Sequence, residues 1–372
     1  MKDKKTVFLT GATGLVGSYL LKILLENGHQ VYALARNKDN QSAKDRITAI
    51  LKFWEEDIVD KGILRNLRVI EGDIAYPDLG IKSKKDIEIL ISGVEIIFHS
   101  AALADLNIPL KVIREINVEG TRNILDFSLE CKKRGKLSKV NHISTAYVVG
   151  TKNGIEFSED MLELGQDFHN AYEQSKYEAE LLAKQYLNRG LNISIFRPSM
   201  IMGDSEEGRT TEFRLFYRPL HFFAQEIFRE FPANPACRQN LINVDTVANA
   251  LYILKDREES RVYHLTSSEG MPIGSSIQIV ADYFGFKPPE FIPVENFNFN
   301  RLTPVQKALA GPYIPYFNYT TKFISQKTRS ILKEYNFICP QIDKKNIIRN
   351  LKYCEKQKFI TRKKQNEYSK VN

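Results

Sequence analysis

Tyr172 and Lys176 stand four residues apart in the run YEQSK, and Thr145 closes the run HIST. Positions i and i+4 share a helix face, so the phenol and the ammonium lie side by side. A free tyrosine ionises near pKa ~10, and a nearby ammonium favours its phenolate. Such a tyrosine moves a proton to or from a substrate oxygen. The lysine also has the reach to bond a nicotinamide ribose. A threonine hydroxyl at a strand end holds the substrate oxygen, a role for which Ser144 competes with Thr145. A YxxxK spacing also arises by chance on helix surfaces, so its weight depends on the elements that carry it.

Those elements begin with TVFLTGATGLVGSYLLKILLENGHQVYALAR at residues 6–36. Residues 6–10 read as a buried strand, 14–27 as a helix stopped by Gly28, and 31–34 as a second strand. Strand, helix and strand form one βαβ unit and hence a parallel sheet. Gly11 permits the tight turn, Gly14 lets backbone approach a pyrophosphate, and Gly17 lets the helix sit close to the sheet. The second strand ends in Arg36 rather than the acidic residue that binds an NAD ribose. Arg36, with Lys38, suits a 2′-phosphate and favours NADP over NAD; the plain alternative is a solvated strand end.

Further strands are expected at 67–71, 95–100, 140–144, 193–197 and 262–266, with helices at 41–61, 84–92, 110–134, 170–189 and 246–255. Asp73, at the end of the third strand, is placed to contact an adenine amine or to cap a turn. Ala101 and Ala102 follow the fourth strand, where small residues let a cofactor ribose lie against backbone. Asn117, polar on a buried helix, is expected to bond backbone or water near the site. Asp245 reads as a helix N-cap, and 151–168 and 204–212 as loops, the second charged and mobile.

The fold class is therefore α/β: a Rossmann-type doubly wound parallel sheet with a smaller, mostly helical C-terminal substrate subdomain. The nucleotide-binding part is assigned to 1–203 and 238–266, the substrate part to 204–237 and 267–372. In the latter, Phe213, Phe216, Leu220, Phe223, Ile227 and Phe231 recur at intervals of three and four, an apolar stripe bent or started at Pro219. Phe213, Phe216 and Phe223 are read as walls of an acyl channel, against the alternative that the stripe only packs on the core.

Composition narrows the partners. The formal charge is +8, and residues 344–372 account for all of it with ten Lys or Arg against two Glu. A generic nucleic-acid groove across the body is thereby not supported; the basic tail suits an acidic carrier protein, a coenzyme A phosphate or peripheral contact with an anionic membrane, and equally a solvated terminal helix with a frayed end. No stretch approaches the ~20 apolar residues of a membrane span. MKDKK leads straight into the first strand, so no signal or transit peptide is expected. Cys131, Cys237, Cys339 and Cys354 show neither metal-ligand spacing nor a disulfide framework and read as reduced thiols of a cytoplasmic protein, with no metal site.

With TGATGLVG, GD at 72–73, HSAA at 99–102, NVEGT at 117–121, ISTAY at 143–147, YEQSK at 172–176 and RPS at 197–199 in this order, the chain resembles the extended short-chain dehydrogenase/reductase superfamily. EGDIAYPDLGI at 71–81, IIFHSAALADLN at 96–107, HISTAYVVG at 142–150 and INVDTVANAL at 242–251 make it most similar to the thioester reductase and fatty acyl-CoA reductase (male sterility-like) branch. The resemblance implies Thr145, Tyr172 and Lys176 as catalytic residues. It places NADP(H) on Gly11, Thr13, Gly14, Leu15, Val16, Gly17, Arg36, Lys38, Asp73, Ile74, Ala101, Ala102, Asn117, Ser144, Tyr172, Lys176, Arg197, Pro198 and Ser199. It implies reduction of an acyl thioester, carried on coenzyme A or a carrier protein, to an aldehyde or alcohol, a reaction of lipid metabolism. The rival readings are a nucleotide-sugar epimerase or dehydratase, whose diphosphate Arg214, Arg218, Arg229 and Arg238 would bind, a hydroxysteroid-type dehydrogenase, and a non-catalytic NADP sensor.

Overall fold

The computed structural model describes residues 4–58 and 61–361. Seven parallel strands form the central sheet: β1 (Thr6–Thr10), β2 (Gln30–Ala35), β3 (Leu67–Glu71), β4 (Ile96–His99), β5 (Lys139–Ile143), β6 (Ile193–Pro198) and β7 (Val262–Leu265). Their spatial order is β7-β6-β5-β4-β1-β2-β3. The order reverses at β1, where β2 lies on one side and β4 on the other. That switch point opens a crevice at the strand C-termini, where open α/β sheets bind ligands. The strands are largely buried on both faces because helices cover both, although β5 carries Lys139, Asn141 and His142 inside. Burial of β5 is complete along its length.

The helices are α1 (Leu15–Glu26), α2 (Ala43–Trp54), α3 (Lys84–Gly93), α4 (Leu110–Arg114), α5 (Gly120–Arg134), α6 (Ala171–Asn188), α7 (Tyr217–Ala224), α8 (Val244–Leu254), α9 (Ile273–Phe284), α10 (Pro304–Ala310), α11 (Gln326–Glu334) and α12 (Lys344–Lys356). On one face of the sheet Leu20, Leu24, Ile47, Val247 and Leu251 share an apolar cluster, bringing α1, α2 and α8 together. On the other, Leu90, Ile124, Leu125 and Leu182 join α3, α5 and α6. A third cluster gathers Phe216, Phe223, Phe231, Phe284, Phe317 and Leu351, outside the sheet.

Several boundaries differ from the sequence expectation. The helix expected over 41–61 stops at Trp54, although Ile58 in the following turn is still buried. The long helix expected over 110–134 is interrupted by a π turn at Glu115–Glu119, which turns Asn117 inward. Asp245 is not the N-cap of α8, which is Asn243; its carboxylate instead accepts from the backbone N–H and hydroxyl of Ser205. The loop at 204–212 is tied down by Asp204, which accepts from the backbone N–H groups of Glu206, Glu207 and Arg209. The aromatic stripe is helical only in α7, which has Pro219 in its first turn, where a missing N–H costs nothing. Within the loop at 151–168, Glu156–Phe157 pairs in parallel with Lys322–Phe323. The basic tail beyond residue 361 lies outside the described residues.

Candidate active site

The β1–α1 turn shows what its glycines are for. Gly11 has φ +73°, and a Cβ there would sit 2.5 Å from the Ala101 nitrogen. A Cβ on Gly17 would meet the Gly11 carbonyl oxygen at 2.2 Å, so α1 packs directly on the turn. A Cβ on Gly14, by contrast, has only the Gly11 oxygen near it, at 3.4 Å, because that face is open. Gly14 is also the N-cap of α1 and supplies no capping side chain. The first N–H groups of the helix are left for an anion, as a dinucleotide pyrophosphate requires.

The open face belongs to a cavity lined by Gly14, Leu15, Val16, Ala102, Ser144, Thr145, Tyr172, Lys176, Pro198 and Ser199. The sequence thus brings residues from 14 to 199 to one place, because each follows the C-terminal end of a parallel strand or faces it from α6. Ser144 and Thr145 follow β5; Ser199 follows β6. The Ser144 and Ser199 hydroxyls are buried without a partner among the described residues. Orphaned buried hydroxyls beside an open glycine turn fit a polar ligand such as a nicotinamide cofactor.

Lys176 is buried and donates from Nζ to the Ile143 carbonyl oxygen at 2.7 Å. Burial lowers its pKa to about 8, with Glu180 pulling the other way. The Tyr172 phenol is pushed up to about 12, by burial first and by the Glu173 carboxylate second, while the Thr145 hydroxyl hydrogen-bonds it and acts in the opposite sense. The phenolate expected from the neighbouring ammonium is not favoured here: one N–H of Lys176 is given to the Ile143 carbonyl, and desolvation dominates at the phenol. The Tyr172 phenol is therefore protonated at neutral pH. Asn117 positions this helix: its Nδ2 donates to Ser175 Oγ at 2.9 Å and to the Leu103 carbonyl at 3.0 Å, and its Oδ1 accepts from the Leu103 N–H at 2.7 Å. Ser175 Oγ in turn donates to the Tyr172 carbonyl at 2.9 Å.

At the far end of the crevice, Arg36 pairs with Asp73 at 3.3 Å, and Asp73 Oδ1 accepts from the Ala75 N–H at 3.0 Å. Lys38 is exposed and lies 3.7 Å from Asp39. Ile74 packs its side chain against Gly120, and its carbonyl accepts from Asn123. Arg46 escaped the sequence reading. From the first turns of α2 its guanidinium donates to the Arg36 carbonyl at 2.5 Å and to Thr13 Oγ1 at 3.4 Å. It bridges the glycine turn and the end of β2, a place no spacing in the sequence announces.

Two expectations are corrected. Arg197 does not face the cavity. It is buried among protein groups, with Nε 3.0 and 3.1 Å from the two Glu180 oxygens, Nη2 2.7 Å from Glu180, and Nη1 2.9 Å from the Met161 carbonyl. Its donors are spent, so only Pro198 and Ser199 of the RPS motif line the site. Nor do Phe213, Phe216 and Phe223 line this cavity. Phe223 sits among Phe222, Phe231 and Phe317, with ring centroids 5.0 to 5.8 Å away, and Phe213 stacks on Phe359 at 4.3 Å. The stripe faces the core of its own segment. The apolar wall of the cavity is made instead by Leu106, Met200, Ile201, Leu215, Tyr217 and Tyr316.

Glu212 and Arg214 close the remaining side. Their side chains pair at 2.8 Å, and Arg214 also donates to the Ala104 carbonyl at 2.6 Å. Leu215 beside them has φ +37°, a left-handed conformation rare outside glycine. Of the four arginines suited to a sugar diphosphate, only Arg214 lines the cavity. Among the described residues no group of three or more His, Cys, Asp or Glu is arranged to hold a metal, and no helix is long and apolar enough to cross a membrane.

A family model described as male sterility protein matches residues 9–251. Fatty acyl-CoA reductase 2 of Homo sapiens is 29% identical over 343 residues, covering 80% of this chain and 66% of that protein. Carboxylic acid reductase of Segniliparus rugosus is 30% identical over 220 residues, covering 54% of this chain and 18% of that protein. The chain thus spans less than two thirds of the length of either curated relative. The crystal structure of the terminal R domain from the myxalamid PKS-NRPS biosynthetic pathway superposes with a TM-score of 0.83 at 25% identity, covering 98% of this chain and 94% of that one.

Proposed function

The chain belongs to the male sterility protein family, and from that premise we propose that it is an NADPH-dependent reductase of an acyl thioester carried on coenzyme A or a carrier protein. The observation that carries the reading is the convergence of a protonated Tyr172, Thr145 and a buried Lys176 beside an open glycine turn. Reductases among the relatives and an R domain among the solved structures support it. NADPH, when bound, supplies the hydride.

Every other contribution comes from the chain. Gly14 and the first N–H groups of α1 receive the pyrophosphate, while Arg36 and Arg46 offer two guanidiniums to a 2′-phosphate. Lys176 presents its ammonium to the ribose. Thr145 and Tyr172 face the thioester oxygen and stabilise the negative charge that develops there as the carbonyl carbon becomes tetrahedral. Tyr172 gives its proton to that oxygen. Collapse of the resulting hemithioacetal expels the thiol and leaves an aldehyde, so one hydride and one proton convert the thioester into aldehyde plus thiol. A second round on the aldehyde would yield the alcohol, with Tyr172 again the donor.

The test follows NADPH oxidation with acyl-CoA, an acyl carrier protein, a free aldehyde and a UDP-sugar in parallel. Turnover of at least one thioester is expected. Turnover of the UDP-sugar alone would overturn the reading.

A further inference from the structure

A row of buried hydrogen bonds runs from the end of β1 to the helix that carries Tyr172. Thr10, His99, Thr121, Asn117 and Ser175 are each at most 2% exposed. Thr10 and His99 are register partners at the C-terminal ends of β1 and β4. Thr10 Oγ1 lies 2.9 Å from His99 Nδ1, and His99 Nε2 lies 3.0 Å from Thr121 Oγ1. The hydrogens fit in only one order. Thr121 gives its single hydroxyl hydrogen to the Asn117 carbonyl at 2.6 Å, so its oxygen accepts from the ring. Nε2 of His99 therefore carries a hydrogen. Burial, with Lys176 second, holds the His99 pKa down at about 3, so the ring is neutral and Nδ1 is an acceptor. Nδ1 then accepts from the Thr10 hydroxyl, whose oxygen accepts from the Ala101 N–H at 3.3 Å.

We propose that His99 is a positioning residue: as the neutral Nε2–H tautomer it locks the strand ends on the cofactor side to the helix that carries Tyr172 and Lys176. The inference deepens the reductase reading and rests on it for the roles of those two residues. The row ends on groups of the site at both sides. Thr10 directly precedes Gly11 of the glycine turn, and Ala101 stands between Ser100 and Ala102, which line the cavity. At the other end Thr121 holds the carbonyl of Asn117 inside the π turn, where the regular helix ladder is broken. From there the Asn117 side chain reaches the backbone of Leu103 and the Ser175 hydroxyl, and Ser175 reaches the Tyr172 carbonyl. A displaced Asn117 therefore moves two walls of the cavity at once, the 102–104 segment and α6. The other groups near the ring take no part in the row. His142, with its ring centroid 5.3 Å away, has no hydrogen-bond partner among the described residues, and Lys176 is turned toward Ile143.

The test first reads the ring nitrogens of His99 by NMR in the full chain with isotope-labelled histidine, the resonances being assigned by their loss in His99→Gln. A neutral Nε2–H ring is expected, without titration between about pH 5 and 9. An Nδ1–H ring or an imidazolium overturns the proposal. Thr121→Val then removes the hydroxyl at constant shape, and Thr121→Ser restores it. His99→Gln keeps an amide within reach of Thr121, whereas His99→Asn reaches only toward Thr10. In Thr121→Val and His99→Asn, hydrogen exchange at the Leu103 N–H, which Asn117 holds, is expected to quicken about ten-fold or more. In the same two variants kcat falls about 10–100-fold, while KM and cofactor affinity stay within about two-fold. Thr121→Ser and His99→Gln recover most of both losses. Exchange and kcat that match between Thr121→Val and Thr121→Ser overturn the proposal. Should His99→Asn fail to fold, the two Thr121 variants decide alone. A wild-type chain that reduces no thioester refutes the reductase reading only, because the tautomer and the Leu103 exchange need no turnover.

Discussion

Replacing Glu180 by Gln would expose what Arg197 does. The pair is buried at 1% and 0% side-chain exposure, with its closest contact at 2.7 Å. Two carboxylate oxygens neutralise a guanidinium whose remaining donor faces the Met161 carbonyl and the His264 ring at 3.2 Å. His264 cannot replace the lost carboxylate, since an imidazole offers no negative charge; burial, and then Arg197 itself, hold its pKa down at about 3, so it stays neutral. Glu180→Gln therefore leaves an unpaired buried cation, at a cost of about 3–5 kcal/mol. The double change Glu180→Leu with Arg197→Met removes both charges and should recover most of that loss, since buried pairs are often matched by apolar groups of similar volume. The assay is chemical denaturation followed by circular dichroism, with cofactor affinity measured on the folded protein. A loss below about 1 kcal/mol, the size of an exposed pair, would refute the reasoning. A cofactor affinity that collapsed in a stably folded Arg197 variant would return Arg197 to the cofactor site.

Tyr172→Phe should lower turnover by about 10²–10⁴-fold while leaving cofactor affinity nearly intact, because ring and Lys176 remain; undiminished turnover would place the proton donor elsewhere. Arg36→Ala and Arg46→Ala should each weaken NADPH about ten-fold or more and NADH much less, the size of a charge-assisted hydrogen bond; equal losses for both cofactors, by titration, would make the two arginines structural. Lys176 has its pKa lowered to about 8, so its ammonium is lost as pH rises through that value, and cofactor affinity should fall across the same window. Affinity that stays flat from neutral pH well into the alkaline range would separate Lys176 from the cofactor. The same shift has a sign for stability: the unfolded chain keeps that proton to higher pH, so above about 8 Lys176 costs the folded state progressively less.

The sheet was legible because most strands are rich in apolar residues and close on a glycine, a small residue or a polar cluster, although β5 carries Lys139, Asn141 and His142. Gly11, Gly14 and Gly17 announced the first turn, and Ser144, Thr145 and Ser199 reach the cavity because they directly follow strands. Periodicity failed where a local pattern had to predict a distant surface. The spacing from Phe213 to Phe231 says that one side is apolar but not which body it meets, and Phe317 and Phe359, far along the chain, decide that. Arg197 sat in a family motif, yet its role is fixed by Glu180, seventeen residues back on α6. The π turn at Glu115–Glu119 has no sequence signature, although Asn117 was recognisable as a polar group that must find backbone. Arg46 and Tyr316 were invisible because nothing local distinguishes them from a surface arginine and a packed tyrosine. Only the fold carries the first to Thr13 and the second to Glu173.

The most direct measurement of the central claim follows a label. The chain is supplied with NADPH deuterated on the transferable face of its nicotinamide and with an acyl thioester, and the products are resolved by mass spectrometry. The account predicts an aldehyde or alcohol bearing deuterium on the former thioester carbon, together with one equivalent of free thiol for each acyl group reduced. Thiol released without deuterium in the acyl product, or label that leaves NADPH only in the presence of a sugar nucleotide, would contradict it.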